Sequence, residues 1–266
     1  MTIVVGIVCE DGVVLASDSQ VEFSRGVPVK RVNANKICRL LEEYYVAIAG
    51  AGTLTFIRKA IREIARHVAD KERKGGRRLS LDEIADLAEG VMAKIHKTYN
   101  IERLRYLYER PSERVSEMHR FTLLMGGVEV SDNDVIRKLY ILHEDGIAEE
   151  EAYATIGSGA AYAEYLLSKF YDPGMKLDVG KKLAAYVVRE VERMDPNVGG
   201  PINMVAIGVR KSGEALKPEY QELESRDIDL LGLELTELEK LMNRVFKNVL
   251  LGELKKEDLE RMLNLR

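Results

Sequence analysis

The sequence alternates blocks of short, β-branched segments with pairs of amphipathic helices. Residues 2–9 and 13–18 are rich in valine and isoleucine and flank an Asp11-Gly12 dipeptide, a pattern that predicts two strands joined by a tight hairpin turn. The runs 36–41 and 44–49 predict a second hairpin of the same kind. The first part of the chain is therefore predicted to form antiparallel β-structure.

Between and after these hairpins the pattern changes. Residues 22–31 predict a polar loop. Apolar residues at helical spacing then predict a helix from Leu54 to a break at 74–76. The motif at 80–83, Ser-Leu-Asp-Glu, is a capping box that begins a second helix, which we expect to run to about Tyr99.

The second half of the chain repeats this order. It predicts strands at 121–130, 135–142, 153–156 and 202–209, and helices at about 160–170 and 177–193. Residues 100–119 are charged and aromatic and contain Pro111, so we expect an irregular excursion there. Residues 235–265 predict a helical tail that is interrupted near Gly252.

The order strands, helix pair, strands, helix pair is expected when two antiparallel sheets pack face to face and each outer face carries helices. We therefore predict an α+β fold, a four-layer αββα sandwich over residues 1–230, with a helical C-terminal extension over 231–266. The chain has 266 residues, 46% of them hydrophobic, which is enough for one sizeable core.

Composition and charge narrow the classes of function. The formal net charge is -4, and lysine and arginine alternate with acidic residues along the chain, so nucleic-acid binding is not expected. The apolar run at 2–9 lacks a preceding basic region and is too short for a signal peptide or a membrane span, so we expect a cytoplasmic protein. Cys9 and Cys38 lie in strand-like runs without metal or redox spacing and are predicted to be reduced core residues.

Thr2 is a candidate nucleophile because removal of Met1 would give it a free α-amine beside its hydroxyl. That amine can accept the hydroxyl proton, directly or through one water, as the oxygen attacks a carbonyl. An α-amine has a pKa near 8, so roughly a tenth is neutral at pH 7, and a nearby cation would enlarge that fraction. Taken alone, Thr2 is more simply a residue that begins a strand.

Six motifs favour the interpretation of Thr2 as a nucleophile. They are Thr2-Ile-Val-Val-Gly-Ile7, Asp11-Gly-Val-Val-Leu-Ala-Ser-Asp18, Asn35-Lys36-Ile37, Ala47-Ile-Ala-Gly50, Thr155-Ile-Gly-Ser-Gly159, and Asp195 ahead of Gly199-Gly200. In this order the chain resembles the proteasome β family and the related bacterial ATP-dependent ring protease, from residue 2 to about residue 209. The resemblance implies an N-terminal-nucleophile hydrolase fold and acyl transfer at a terminal threonine, with peptide-bond hydrolysis as the outcome.

The resemblance also implies a role for each matched residue. Thr2 would be the nucleophile with its α-amine as base, and Lys36, paired with Asp18, would be the cation that holds the amine neutral. These three residues should therefore lie within a few ångströms of one another. The backbone N–H of Gly50 matches the family's oxyanion donor, and Ser158 and Asp195 match residues that orient the terminal threonine.

Further positions follow from the same resemblance. The substrate-lining positions fall near Val21, Ala34, Ile48 and Gly52, which implies a modest preference for apolar residues. Val198 stands where the family often has a hydroxyl residue near the terminal amine. The implied partners are a polypeptide substrate, other copies of the chain in a self-compartmentalising ring, and α-type subunits or an ATPase unfoldase. No cofactor is implied.

Other motifs give weaker indications. Gly50, Gly52 and Thr53 do not complete a phosphate-binding motif, and Ser158 lacks the residues on each side that a nucleophile elbow requires. The four histidines, at 67, 96, 119 and 143, lack metal-ligand spacing, so no catalytic metal is indicated.

Two alternative functions stay open. One is a non-ring peptide ligase or amidase that uses the same threonine. The other is a non-catalytic structural subunit that uses its tail to bind partners.

Overall fold

The computed structural model of the chain describes residues 2–24, 28–31, 34–101, 120–131, 134–212, 215–252 and 261. Its strands are β1 Ile3–Cys9, β2 Gly12–Ser17, β3 Val21–Ser24, β4 Pro28–Arg31, β5 Ile37–Arg39, β6 Val46–Gly52, β7 Phe121–Ser131, β8 Asp134–His143, β9 Gly146–Glu149, β10 Tyr153–Gly157, β11 Asn203–Ser212 and β12 Ala215–Glu222. Its α-helices are α1 Leu54–Gly75, α2 Leu81–His96, α3 Ala160–Phe170, α4 Leu177–Met194 and α5 Ser225–Leu250. A π-helical turn, Lys97–Ile101, follows α2.

Two five-stranded antiparallel sheets form the centre of the fold. The first has the strand order β10-β1-β2-β11-β12, and the second has the order β5-β6-β7-β8-β9. The strands β3 and β4 form a separate two-stranded hairpin. Helices α1 and α2 pack on the outer face of the second sheet, whereas α3 and α4 cover the first and α5 packs on α4. The predicted four-layer αββα sandwich is confirmed.

The alternation of side chains along β2 shows why both faces of its sheet are buried. Val13 and Leu15 point between the two sheets and pack with Leu124 and Leu139 of the second sheet. Val14 and Ala16 point the other way, into the core under the helices. Every residue of β2 is buried, which explains its continuous apolar sequence.

The two ends of α1 and the start of α2 follow the predicted sequence signals closely. Helix α1 is capped at its C-terminus by Gly76, which has φ +66. The Ser80 side chain accepts from the Glu83 N–H, and the Glu83 carboxylate accepts from the Ser80 N–H, so the predicted capping box is present.

The predicted polar loop at 22–31 is wrong where β3 and β4 form. Backbone pairing runs from Val21 with Arg31 to Ser24 with Pro28, which satisfies main-chain groups that a loop would leave to solvent. The sequence prediction also missed β9 and β12, each of which adds an edge to a sheet. Both are short or charged segments that are specified by their neighbouring strand more than by their own composition.

The first hairpin turn is displaced by one residue from its predicted position. Cys9 pairs with Gly12, so Glu10 and Asp11 form the turn and Gly12 is already the first residue of β2. A Cβ at Gly12 would lie 2.3 Å from the carbonyl oxygen of Ile207 on β11. The glycine is therefore required by the close approach of the neighbouring strand and not by the turn.

The helical tail begins earlier than predicted. Helix α5 starts at Ser225 instead of residue 235, because Ile228 is fully buried against the core under α4. Ion pairs of Arg189 with Asp229 and of Lys182 with Glu234 join the two helices. Gly252, with φ +74, lies at the predicted interruption.

Two predictions fall wholly or partly outside the described part of the chain. Residues 253–260 and 262–266 of the predicted tail, and 102–119 of the predicted excursion, are not among the described residues. The division of the chain into a domain over 1–230 and an extension over 231–266 stays a prediction.

The two cysteines differ in environment. Both are free, and Cys9 is buried, as predicted, which raises the pKa of its thiol to about 12. The prediction for Cys38 is wrong, because strand alternation turns Ile37 into the core and leaves Cys38 exposed. No helix in the described part of the chain is both long and apolar enough to span a membrane.

We expect Gly12→Ala to destabilise the fold by at least about 2 kcal/mol, because the new Cβ would collide with the β11 backbone. Gly90→Ala is the matched control. Gly90 lies in α2 with nothing within 4 Å of a Cβ, so alanine should stabilise by about 1 kcal/mol. Urea unfolding of both variants checks the prediction, and equal shifts of the two midpoints in one direction would contradict it.

Candidate active site

Thr2 and Asp18 lie together because they occupy adjacent ends of a hairpin. Thr2 precedes β1, Asp18 follows β2, and the register pairs Val4 with Ser17. The Asp18 N–H donates to the Ile3 carbonyl over 3.3 Å, and the Ile3 N–H donates to Asp18 Oδ1 over 3.0 Å. The hairpin thus fixes the Asp18 carboxylate beside the amino-terminal end of β1.

Lys36 reaches this end of the first sheet from the second. It precedes β5, whose Ile37 pairs with Ala49 of β6. Its Nζ donates to Asp18 Oδ1 over 2.7 Å and to Thr2 Oγ1 over 2.8 Å. The structure therefore brings Thr2, Lys36 and Asp18 into direct contact across the two sheets, at the separations that the sequence predicts. Their catalytic roles stay predictions.

This contact is almost completely withdrawn from solvent. Asp18 is 1% exposed, Thr2 is 7% exposed and Lys36 is 8% exposed. Burial lowers the pKa of Lys36, and the charge and hydrogen bond of Asp18 oppose that shift. Because water screens little here, the Lys36 charge acts strongly on groups near Thr2.

The Asp18 carboxylate accepts further hydrogen bonds from the backbone. Oδ2 accepts from the backbone N–H groups of Gln20, over 3.2 Å, and Gly199, over 3.3 Å. With Ile3 and Lys36 on Oδ1, the carboxylate accepts four hydrogen bonds. A buried carboxylate with this many donors is suited to hold a lysine in one position.

Gly50 lies on β6 at the height of Lys36, since Ile37 pairs with Ala49. It is buried, and a Cβ there would lie 2.4 Å from Cγ2 of Ile57 on α1. A side chain at this position is therefore excluded by the packing of α1 on β6. The residue needed at this point of the strand is glycine.

Ser158 and Asp195 form a second polar group on the other side of β1. Gly157 pairs with Ile3, which puts Ser158 at the height of Thr2. Gly157 has φ +110, and a Cβ there would lie 2.0 Å from the Thr2 carbonyl oxygen. Ser158 Oγ donates to Asp195 Oδ2 over 2.8 Å.

Asn197 completes this group and was not predicted from the sequence. Its backbone N–H and its side-chain Nδ2 each lie 2.9 Å from Asp195 Oδ1. Burial of Asp195 disfavours its charge, but hydrogen bonds from Asn197 and Ser158 outweigh that effect and hold its pKa below the usual range. An asparagine two residues after an aspartate, in Asp-Pro-Asn, was the available sequence signal for such a turn.

The four predicted substrate-lining residues lie in different environments. Val21 and Ala34 are half-buried, and the Ala34 N–H donates to the Ser19 carbonyl over 3.2 Å, close to Asp18. Gly52 is exposed at the end of β6. Ile48 is fully buried in the core under α1 and α2 and exposes no surface to a ligand. In the described ranges, no cluster of three or more His, Cys, Asp or Glu residues is placed to hold a metal ion.

Comparison with known proteins shows the family of this chain. The family model described as Proteasome subunit matches residues 2–207. Proteasome subunit beta 1 of Thermococcus gammatolerans is 30% identical over 223 residues, which cover 84% of this chain and 93% of that protein. The chain belongs to the proteasome β-subunit family. Membership of this family supports a proteasome-type peptidase at the level of the family.

Other relatives of this proteasome β-family chain are of similar length. Proteasome subunit beta 1 of Thermococcus kodakarensis is 28% identical over 206 residues, 77% of this chain and 88% of that protein. Proteasome subunit beta of Methanopyrus kandleri is 26% identical over 230 residues, 86% of this chain and 94% of that protein. The match to the family model, residues 2–207, covers every residue of the candidate site.

We expect Asp18→Asn to destabilise the proteasome β-family fold by about 3 kcal/mol or more, because it leaves the Lys36 ammonium buried without its counter-charge. The control is Asp70→Asn, which removes the carboxylate of a solvent-exposed pair with Arg73 on α1 and should cost less than about 0.5 kcal/mol. Urea unfolding at pH 7 compares the two variants. Similar losses for both would contradict the prediction.

Asp195 gives a second prediction, on pH. Its folded-state pKa is below the ordinary 3.8, so its charged form stabilises the fold above that pH, and the stabilisation is lost as pH falls towards the folded-state pKa. The advantage of the wild-type protein over Asp195→Asn in unfolding free energy should therefore shrink from about pH 5 downwards. Chemical unfolding at a series of pH values measures it, and a constant difference from pH 6 to pH 3 would contradict it.

Proposed function

We propose that this chain is a threonine-type endopeptidase that hydrolyses peptide bonds through an acyl-enzyme intermediate at Thr2. The observation that carries the proposal is the buried lysine whose ammonium donates at once to Asp18 and to the Thr2 hydroxyl. Burying a lysine ammonium costs free energy of folding, and the ion pair with Asp18 offsets only part of that cost. The contact of Lys36 with the hydroxyl oxygen supports a task in activating that oxygen.

The chemistry begins with removal of the hydroxyl proton. The Thr2 α-amine, freed by removal of Met1, accepts this proton as Oγ1 attacks the substrate carbonyl. Lys36 assists in two ways: its charge disfavours protonation of the nearby amine, and its hydrogen bond stabilises the negative charge that develops on Oγ1. Asp18 keeps Lys36 charged and in place.

The tetrahedral intermediate then breaks down in the usual order for acyl transfer. Its oxyanion would be stabilised by the backbone N–H of Gly50, where the packing of Ile57 already excludes a side chain. The protonated amine of Thr2 returns its proton to the leaving nitrogen, which leaves an ester on Oγ1. Water, activated by the same amine, hydrolyses the ester and restores the free threonine.

The amino terminus itself must be free for this mechanism. A Thr2 nitrogen that is still bonded to Met1 is an amide and has no basicity to accept a proton. Ser158 and Asp195 lie at the height of Thr2 and are proposed to orient the free amine. The form that retains Met1 should therefore be inactive.

The substrate and the assembly are part of the same proposal. In this proposal the chain acts in the cytoplasm on polypeptides inside a ring of subunits, and α-type subunits or an ATPase unfoldase admit the substrate. The relatives' name, Proteasome subunit beta, supports the part of the proposal that makes this chain one subunit of an assembly. Of the four positions that the resemblance implies, Ile48 is buried in the core and cannot line the substrate site. The positions near Val21, Ala34 and Gly52 still imply a modest preference for apolar residues. A profile with cleavage only after acidic residues would contradict that preference, and size-exclusion chromatography with light scattering would test the ring.

The central test is covalent labelling of Thr2. Protein from which Met1 has been removed is treated with a peptide epoxyketone, and intact mass and peptide mapping locate the adduct. We expect one adduct per chain on Thr2 and none on Thr2→Ala or on protein that retains Met1. Thr98→Ala, at an exposed position on the π-helical turn, is the matched control and should label like the wild-type protein. An unlabelled wild-type protein with a free Thr2 would overturn the proposal.

A further inference from the structure

In the turn after α4, both oxygens of the Asp195 carboxylate accept hydrogen bonds. Asp195 Oδ1 accepts from both the backbone N–H and the side-chain amide of Asn197, each over 2.9 Å. Oδ2 accepts from Ser158 Oγ over 2.8 Å. Both oxygens therefore have fixed partners, and the plane of the carboxylate is set from two sides.

The same turn is tied to the other carboxylate of the site. The Gly199 N–H donates to Asp18 Oδ2, and the Gly199 carbonyl accepts from the N–H groups of Ser19, over 3.2 Å, and Gln20, over 2.9 Å. The Val198 N–H donates to the Asp195 carbonyl over 3.0 Å and closes the turn. The position of Asp195 is thus coupled to that of the Asp18–Lys36 pair by a few peptide units.

Val198 supplies no polar group to this arrangement. Its side chain is 3% exposed and packs in the core that also contains Ile3 and Val191. Its Cγ2 would lie 3.5 Å from a Cβ at Gly159. The valine thus faces the apolar side of the turn, and the adjacent Asn197 is the turn residue whose side chain donates to Asp195.

We propose that Asn197 is a positioning residue for catalysis: its side-chain amide orients Asp195, which together with Ser158 orients the Thr2 amine relative to its hydroxyl. The inference rests on the proposed function at Thr2. Asn197 contacts Asp195 and acts through it, so substrate binding should be unchanged when its side chain is replaced. Its loss therefore affects the step in which the amine takes the hydroxyl proton, since a displacement of about 1 Å at a reacting group can cost about 100-fold in rate.

The alternative role for Asn197 is purely structural, as the third residue of a turn that begins at Asp195. The backbone N–H of residue 197 forms that turn whatever the side chain is. Only the bond from Nδ2 depends on the asparagine. A short side chain with a donor, such as serine, retains the proposed role, whereas alanine retains the turn and removes the donor.

The test compares Asn197→Ala and Asn197→Ser with the wild-type protein, all with Met1 removed. Steady-state cleavage of a fluorogenic peptide with an apolar residue before the scissile bond gives kcat and KM. We expect Asn197→Ala to lower kcat by about 10- to 100-fold with KM within about twofold, and Asn197→Ser to restore kcat to within about threefold. The rate of labelling by the epoxyketone should follow kcat.

Thermal unfolding of each variant shows whether a loss of kcat is accompanied by a loss of stability of the fold. Asn197→Asp is the second test variant, because it keeps the shape of the side chain, removes the donor and should lose at least as much kcat as alanine. An unchanged kcat in Asn197→Ala or Asn197→Asp overturns the inference. So does an equal loss in the serine and alanine variants, or an effect on KM alone. A wild-type protein that neither cleaves nor labels overturns the proposed function, and this inference with it.

Discussion

The buried contact of Lys36 with Asp18 and Thr2 is the interaction on which the arrangement of the site depends. An ammonium taken out of water costs several kcal/mol unless it meets a counter-charge and its donors are satisfied. Lys36 directly precedes β5 of the second sheet, whereas its two partners flank the β1–β2 hairpin of the first sheet. The contact can form only when the two sheets are packed face to face, so the complete fold is a condition for the site.

Two glycines, Gly157 and Gly50, allow the chain to pack closely around Thr2 and Lys36. Gly157 has a left-handed backbone and lies against the Thr2 carbonyl, so β10 can run beside the first residue of the chain that the structure describes. Gly50 leaves room for α1 at the height of Lys36. In both places a methyl group would occupy space that backbone or core atoms already fill. The absence of side chains at these two positions near Thr2 is thus required by the close packing of the neighbouring atoms.

The site contains two carboxylates in different surroundings. Asp18 accepts four hydrogen bonds and faces a lysine, whereas Asp195 is held by Ser158 and Asn197 and lies on the other side of β1. The turn from Asp195 to Gly199 joins them. In the proposed mechanism one carboxylate controls the charge beside the hydroxyl and the other controls the position of the amine. A mechanical link between them would keep the amine and the hydroxyl of Thr2 in a constant relation.

The sequence alone determined the layer order, most helix boundaries and the family resemblance, because hydrophobic period, capping residues and glycine breaks are local signals. It also named the residues that meet at Thr2. It did not determine the hairpin at Val21–Ser24 and Pro28–Arg31, the exposure of Cys38 or the start of α5 at Ser225. The start of α5 depends on burial of Ile228 against residues distant in sequence, and which face of β5 is buried depends on how its sheet packs. The contact of Asn197 with Asp195 spans only two residues, and the Asp-Pro-Asn sequence was a local signal for it. Only the tertiary packing decided that this turn meets Ser158, because that contact forms once α4 returns to the strands beside Thr2.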